Sequence, residues 1–166
     1  RVRNGSIVKN RGSLFFIGEE SHPIVVKGMC PTKIQDHWLG VSSGNNSVLT
    51  LQDTYLSNAT IGLDVYENGY FSITNSTIQH NEVSVEAYNS LVDFGHDKIQ
   101  CTQSGLASYH GAVPYLAWND TGQNIVAENE YGIYALQSLP YLEEGLNNFC
   151  DNARLNIKTD AADGIK

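Results

Sequence analysis

The chain has 166 residues and a formal net charge of −8, from 10 Lys and Arg against 18 Asp and Glu. Its length suits one domain or a piece of one, and cations this sparse and scattered exclude a nucleic-acid surface. No stretch reaches the roughly 20 apolar residues of a membrane helix, so no membrane insertion is expected, and no signal peptide is visible.

In chain order, Leu14, Phe15, Phe16 and Ile17 read as a first short strand, and Ile24, Val25 and Val26 as a second. Residues 29–36 read as an insertion, with Trp38 as the anchor that packs it. From there four segments share one grammar. They open at Leu39, Ile61, Val83 and Ser104, at spacings of 22, 22 and 21 residues. In each, an apolar–polar–apolar triplet leads through a turn to a second triplet and then to a third apolar position. Alternation with period 2 over three to five residues marks a short strand with one buried face. None of these strands has a hairpin partner close in sequence. The natural partner is the equivalent strand one period later, parallel to it and about 4.8 Å away.

Stacking creates inward columns: Val41, Leu63, Val85 and Leu106; Leu49, Phe71 and Val92; Leu51, Ile73 and Phe94; Leu56, Ile78 and Ile99. Corners rich in Asn, Gly, Asp and Ser separate them. The expected fold is all-β, a parallel β-helix of about six coils, each of roughly 22 residues with three short strands. A helical solenoid would need long runs of 3.6 periodicity, and residues 39–104 have none. Past residue 104 one coil lasts 27 residues, and its extra length, at 111–124, reads as a bulged loop containing Pro114 and Trp118. Further coils open at Gly132, Ile133, Tyr134 and at Leu155, Asn156, Ile157.

Residues 1–166 therefore form a single β-helix unit. Solenoids need capped ends, and both termini break off inside the pattern, so a segment of a larger protein is expected. Cys30, Cys101 and Cys150 are an odd number with no metal-binding spacing. Buried free thiols and one disulfide with a thiol left over both fit. The Asn-x-Ser/Thr triplets at Asn4, Asn45, Asn58, Asn75 and Asn119 read as turn chemistry.

The run His37, Trp38, Leu39, Gly40, Val41 resembles the W-x-G-I/V element that opens coils in secreted bacterial β-helix proteins. Residues 12–18 and 22–26 are similar to the strand pair that precedes it there. Residues 51–78 resemble pectate-lyase-like right-handed parallel β-helix repeats. Gly132, Ile133, Tyr134 with residues 147–152 resemble a "GIY … NNF-x-x-N" coil of the same surface proteins. The resemblance implies a right-handed helix and a secreted or cell-surface setting. It does not choose a function, because the superfamily holds lyases, hydrolases, adhesins and non-catalytic surface proteins.

Chemistry on such a fold sits on the outward columns. The first strands contribute Ser42, Asp64, Glu86, Ala107, Tyr134 and Asn156; the second Thr50, Ser72 and Asp93; the third Ser57, Gln79 and Gln100. Only the first column sets two carboxylates in adjacent coils. Asp64 and Glu86 are thus the candidate catalytic pair and, with Tyr134 and Trp118, the candidate ligand-binding set. Glu67, Asn89 and His110 lie at the following corner. Asp64, Glu67, Glu86 and Asn89 are the candidate metal set, with Ca²⁺ the ion that hard oxygen ligands suit. No other cofactor is called for.

Pectate-lyase-type sites resemble a Ca²⁺–carboxylate cluster beside a Lys or Arg base, and none is expected in these columns. Gly95, His96, Asp97 and Lys98 resemble part of a polygalacturonase-like set but lack its R-x-K and Asp-Asp elements, so they read as a corner. The leading expectation is a non-catalytic β-helix segment, a rigid stalk or a binding face for a polysaccharide or surface protein. The alternative is a lyase or glycoside hydrolase acting on acidic glycans through Asp64 and Glu86.

Overall fold

The computed structural model describes residues 2–3, 5–28, 38–95, 97–100, 102, 104–110, 112–116, 124–138, 140–142 and 147–160. Their strands recur in strict rotation. The first coil is β1 (Ile7–Asn10), β2 (Ser13–Ile17) and β3 (Ile24–Lys27); the second is β4 (Gly40–Ser43), β5 (Val48–Gln52) and β6 (Thr54–Ser57). The third is β7 (Ile61–Val65), β8 (Tyr70–Thr74) and β9 (Thr77–Gln79); the fourth is β10 (Val83–Tyr88), β11 (Leu91–Gly95) and β12 (Lys98–Gln100). Then come β13 (Ser104–Tyr109), β14 (Val113–Leu116), β15 (Asn124–Ala127), β16 (Tyr131–Leu136), β17 (Tyr141–Leu142), β18 (Asn147–Cys150) and β19 (Leu155–Asp160).

Every third strand joins the same sheet. One sheet stacks the seven strands from β1 to β19, and the other two stack six each. All the pairings between named strands are parallel and link successive coils. The fold is a parallel β-helix. Among the described residues no helix is long and apolar enough to cross a membrane.

The four inward columns hold residue by residue. Val41 faces Leu63, Val85 and Leu106. Phe71 lies between Leu49 and Val92, Ile73 between Leu51 and Phe94, and Ile78 between Leu56 and Ile99. All are essentially closed to solvent. Trp38 is fully buried with its Nε1 donating to the Ser57 carbonyl at 3.0 Å. It is therefore a core residue; the insertion it was expected to pack lies outside the described residues. Gly40 has φ +109°, and a Cβ there would stand 1.6 Å from the Ile61 carbonyl oxygen, so the W-x-G element needs its glycine.

Two sequence expectations change. Of residues 111–124, Val113–Leu116 is strand β14 and Asn124 opens β15. Residues 117–123, with Trp118, lie outside the described part. Pro114 fits inside β14 because Val113 N–H bonds back to Ser90 O. The missing proline N–H then points to the next coil, where pairing starts only at Tyr115 and Tyr141.

The second change is at the far end of the first sheet. Ile157 pairs Ile133, so Lys158, and not Asn156, stands opposite Tyr134. Asn156 instead accepts a bond from Asn152 at 2.9 Å. The expectation of no Lys or Arg in the outward columns fails with it. Lys9 and Lys158 end the first column and Lys27 heads the third.

A polar ladder lines the inside corner before the third strands. Ser76 Oγ accepts the Thr54 N–H at 3.2 Å, and Asp97 Oδ1 accepts the Ser76 N–H at 2.8 Å. Asp97 N–H donates to Asn124 Oδ1 at 2.9 Å, and Asn124 Nδ2 to Asn147 Oδ1 at 3.1 Å. Asp97 Oδ2 also accepts the Gly95 N–H at 2.9 Å. Asp97 is 1% exposed. Burial pushes its carboxyl up to about 8, with the two backbone donors pulling the other way. A second ladder, from Asn129 to Asn152, lines the next corner.

Candidate functional site

The outward column of the first sheet runs Lys9, Ser42, Asp64, Glu86, Ala107, Tyr134, Lys158. Asp64 and Glu86 are direct cross-strand partners, which places them about one strand spacing, 4.8 Å, apart at the backbone. Asp64 is 9% exposed, and its Oδ1 has no hydrogen-bond partner. Burial raises its carboxyl above the ordinary range, while the Ser42 and Tyr66 hydroxyls pull it down. Glu86 is pushed up to about 7, first by burial and second by the Asp64 charge. Two carboxyls so placed resist ionising together.

Two residues further along each strand stands a column that the sequence reading missed. Tyr88 and Tyr109 are cross-strand partners, and Tyr66 follows Val65 at the matching place. Tyr66 and Tyr88 stack with ring centroids 5.6 Å apart, Tyr88 and Tyr109 at 4.7 Å. Tyr109 meets Tyr134 edge-on at 6.1 Å, and Tyr134 lies 6.4 Å from Tyr131. Ala107, between Glu86 and Tyr134 in the column, is small and only 1% exposed. Burial first, and the neighbouring carboxylates and phenols after it, raise Tyr66 and Tyr88 and push Tyr109 up to about 12. The phenols are therefore donors at neutral pH.

The corner residues are turn formers. Glu67, Asn89 and His110 have φ of 40°, 41° and 45° and are exposed. Their N–H groups bond the carbonyls of Tyr88, Tyr109 and Leu136 on the next coil. His110 also stacks on Tyr88 at 6.0 Å. Among the described residues no group of three or more His, Cys, Asp or Glu is gathered so as to hold a metal ion. Of the candidate metal set, Asp64 and Glu86 pair on the strands, and Glu67 and Asn89 mark the turn. Asn45, Asn58 and Asn75 likewise have positive φ, in keeping with their reading as corners. Cys150 is a half-buried free thiol; Cys30 and Cys101 lie outside the described residues.

Both ends of the face are basic. Lys158 Nζ sits 4.9 Å from the Tyr134 centroid and 5.6 Å from that of Tyr131, and pairs with Asp160 at 3.3 Å. Arg154 lies over Tyr131 at 5.7 Å and pairs with Glu130 at 2.6 Å. At the other end a hollow of about 460 Å³ is lined by Lys9, Asn10, Arg11, Ser42, Gly44 and Asn45. The carboxyl pair itself stands on the open wall of the sheet. Comparison with family models, curated proteins and solved structures gives no match for this chain.

Proposed function

We propose that this chain is a non-catalytic, secreted or cell-surface β-helix whose first sheet is a glycan-binding face. The observation that carries the reading is the tyrosine ladder Tyr66, Tyr88, Tyr109 and Tyr134 running beside Asp64 and Glu86. In two successive coils a phenol donor stands beside a carboxyl acceptor, Tyr66 with Asp64 and Tyr88 with Glu86, and Tyr109 and Tyr134 continue the row of phenols, so a linear polyol laid along the axis meets polar groups at the coil spacing. The inner rings stack on one another, which leaves edges and hydroxyls for a ligand rather than ring faces. The rigid stack of coils supplies preorganisation. The pectate-lyase-like resemblance agrees with an extracellular polysaccharide partner.

Lyase chemistry has little support. The bases that end the acidic column stand off from it: Lys9 is two coil steps from Asp64, about 10 Å, and Lys158 is three from Glu86, about 14 Å, and paired with Asp160. One observation favours hydrolysis as a second reading: Glu86, pushed up to about 7, sits one strand from Asp64. That is the pairing of a proton-bearing acid with a carboxylate.

Titrating the protein with soluble neutral, amino and uronate oligosaccharides, followed by NMR, tests the proposal. Shifts concentrated on Tyr66, Tyr88, Tyr109 and Tyr134 are expected. No shift with any oligosaccharide would remove the reading. Release of new reducing ends, abolished in Asp64→Asn, would replace it with the hydrolase.

A further inference from the structure

The geometry points to an amino sugar with free amines as the glycan of this face, its ammonium group received between Asp64 and Glu86. The inference rests on the glycan-binding reading above and narrows it to one ligand class.

Three observations combine. The first is the unmet acceptor. Asp64 is nine-tenths buried, and its Oδ1 has no partner. A buried carboxylate oxygen left unpaired costs its desolvation, and a donor brought by a ligand recovers it. The groups acting on this carboxylate are the Ser42 and Tyr66 hydroxyls and, by charge, Glu86. Oδ1 is closed off from water, so binding a ligand donor there requires a neighbouring side chain to move.

The second is an ammonium already seated on this face. Lys158 belongs to the same outward column and lies over the rings of Tyr134 and Tyr131. The chain's own primary amine thus shows how the face takes one, against tyrosine rings with a carboxylate, Asp160, at 3.3 Å. At Asp64 and Glu86 carboxyls again stand beside tyrosines, Tyr66 and Tyr88, whose rings are stacked and which offer an amine their hydroxyl oxygens.

The third is what the slot does not offer. Ca²⁺ takes six to eight oxygen ligands, and no cluster of three or more acidic, His or Cys side chains exists among the described residues. An ammonium needs only about three acceptors, which two carboxyls and a hydroxyl provide. A uronate would bring a third carboxylate to a pair that already resists ionising together.

The test measures, by calorimetry at about 0.15 M salt, the affinities of three oligosaccharides of equal length. They are a glucosamine oligomer, its fully N-acetylated counterpart and a galacturonate oligomer. The glucosamine oligomer is expected to bind about tenfold or more tighter than the acetylated one, the scale of a charge-assisted bond. Asp64→Asn and Glu86→Gln should each remove that preference. Glu20→Gln, exposed in the turn between β2 and β3, lowers the net charge equally and should leave the preference whole. Equal affinity for the two oligomers overturns the inference while the glycan face stands. So does stronger binding of the galacturonate oligomer, or an equal loss in Glu20→Gln, which would mean attraction by net charge alone. Binding of none of the three removes both readings.

Discussion

Asp97 and Asp64 are both buried carboxylates in adjoining coils, and they are buried in opposite ways. Asp97 points into the corner and accepts two backbone N–H groups, at 2.8 and 2.9 Å, with no oxygen left over. Asp64 points out of the sheet, and one of its oxygens has no partner. The pair teaches a way to separate architecture from site in a solenoid. A buried acid whose acceptors are all used holds coils together. A buried acid left one bond short is poised for something that is not part of the chain.

Deleting the architectural acid is the largest test of this contrast. Asp97→Ala leaves the Ser76 and Gly95 N–H groups buried without acceptors. At about 1–3 kcal/mol for each, a loss near 3 kcal/mol is expected, or roughly 10 °C in melting temperature at this chain length. Thermal unfolding followed by circular dichroism measures it. A change below about 1 kcal/mol would mean that Asp97 is no more structural than Asp64.

Next in size is the aromatic ladder on the site side. Tyr88 has a stacked ring on either side, at 5.6 and 4.7 Å. Tyr88→Ala removes both contacts, each worth about 0.5–1.5 kcal/mol beyond the area buried, so about 2 kcal/mol should be lost together with oligosaccharide binding. Tyr88→Phe keeps the rings and should restore stability while weakening binding. Binding unchanged in Tyr88→Phe would show that the phenol hydroxyl is not a contact.

Much of this could be read before the fold was seen, and the limits have physical causes. Apolar residues such as Leu63, Phe71 and Ile78 recur with the coil because each must fill the same interior slot, so every inward column could be written down. Asp64 beside Glu86 followed from the same register. The Asp97 ladder obeys the period as well: Thr54, Ser76, Asp97, Asn124 and Asn147 each stand two residues before an inward apolar residue of a third strand. It stayed hidden because a polar residue at a corner is read as solvated, and only burial shows that it has turned inward. The tyrosine ladder hid for a different reason. Tyr66, Tyr88 and Tyr109 follow the apolar–polar–apolar triplet, where alternation no longer distinguishes strand from turn. Asn156 was misplaced because the coil from Ile133 to Ile157 spans 24 residues, while Leu155, Asn156, Ile157 is itself an apolar–polar–apolar triplet that a 22-residue count sets opposite Ile133. The unmet Oδ1 of Asp64 has no sequence signal at all.

The pH dependence of stability sharpens the comparison further. Asp97 is raised from 3.8 to about 8 in the folded protein, and Glu86 from 4.5 to about 7. Between those values the folded state keeps a proton that the unfolded chain has released. The contribution is therefore complete below about pH 4 and is lost as pH rises through about 7 and then 8. Melting temperature should fall across that window. Asp97→Asn should flatten the fall up to pH 8, and Glu86→Gln only the part up to about pH 7. A wild-type melting temperature that climbs from pH 5 to 8 would contradict both assignments.

The smallest expected effect on stability belongs to Asp64, and its smallness matters most. Asp64→Asn is nearly isosteric, keeps an acceptor for the Ser42 and Tyr66 hydroxyls, and removes a charge that burial disfavours. Replacing one member of a like-charged pair also relieves Glu86. Stability at pH 7.5 should hold or rise by about 1 kcal/mol or less, while the preference for a glucosamine oligomer disappears. A residue that the fold keeps at a cost, and that the fold does better without, is retained for a contact outside the chain. If Asp64→Asn instead lowers the melting temperature as Asp97→Ala does, the two carboxylates are alike, and the outward one is a strut of the sheet.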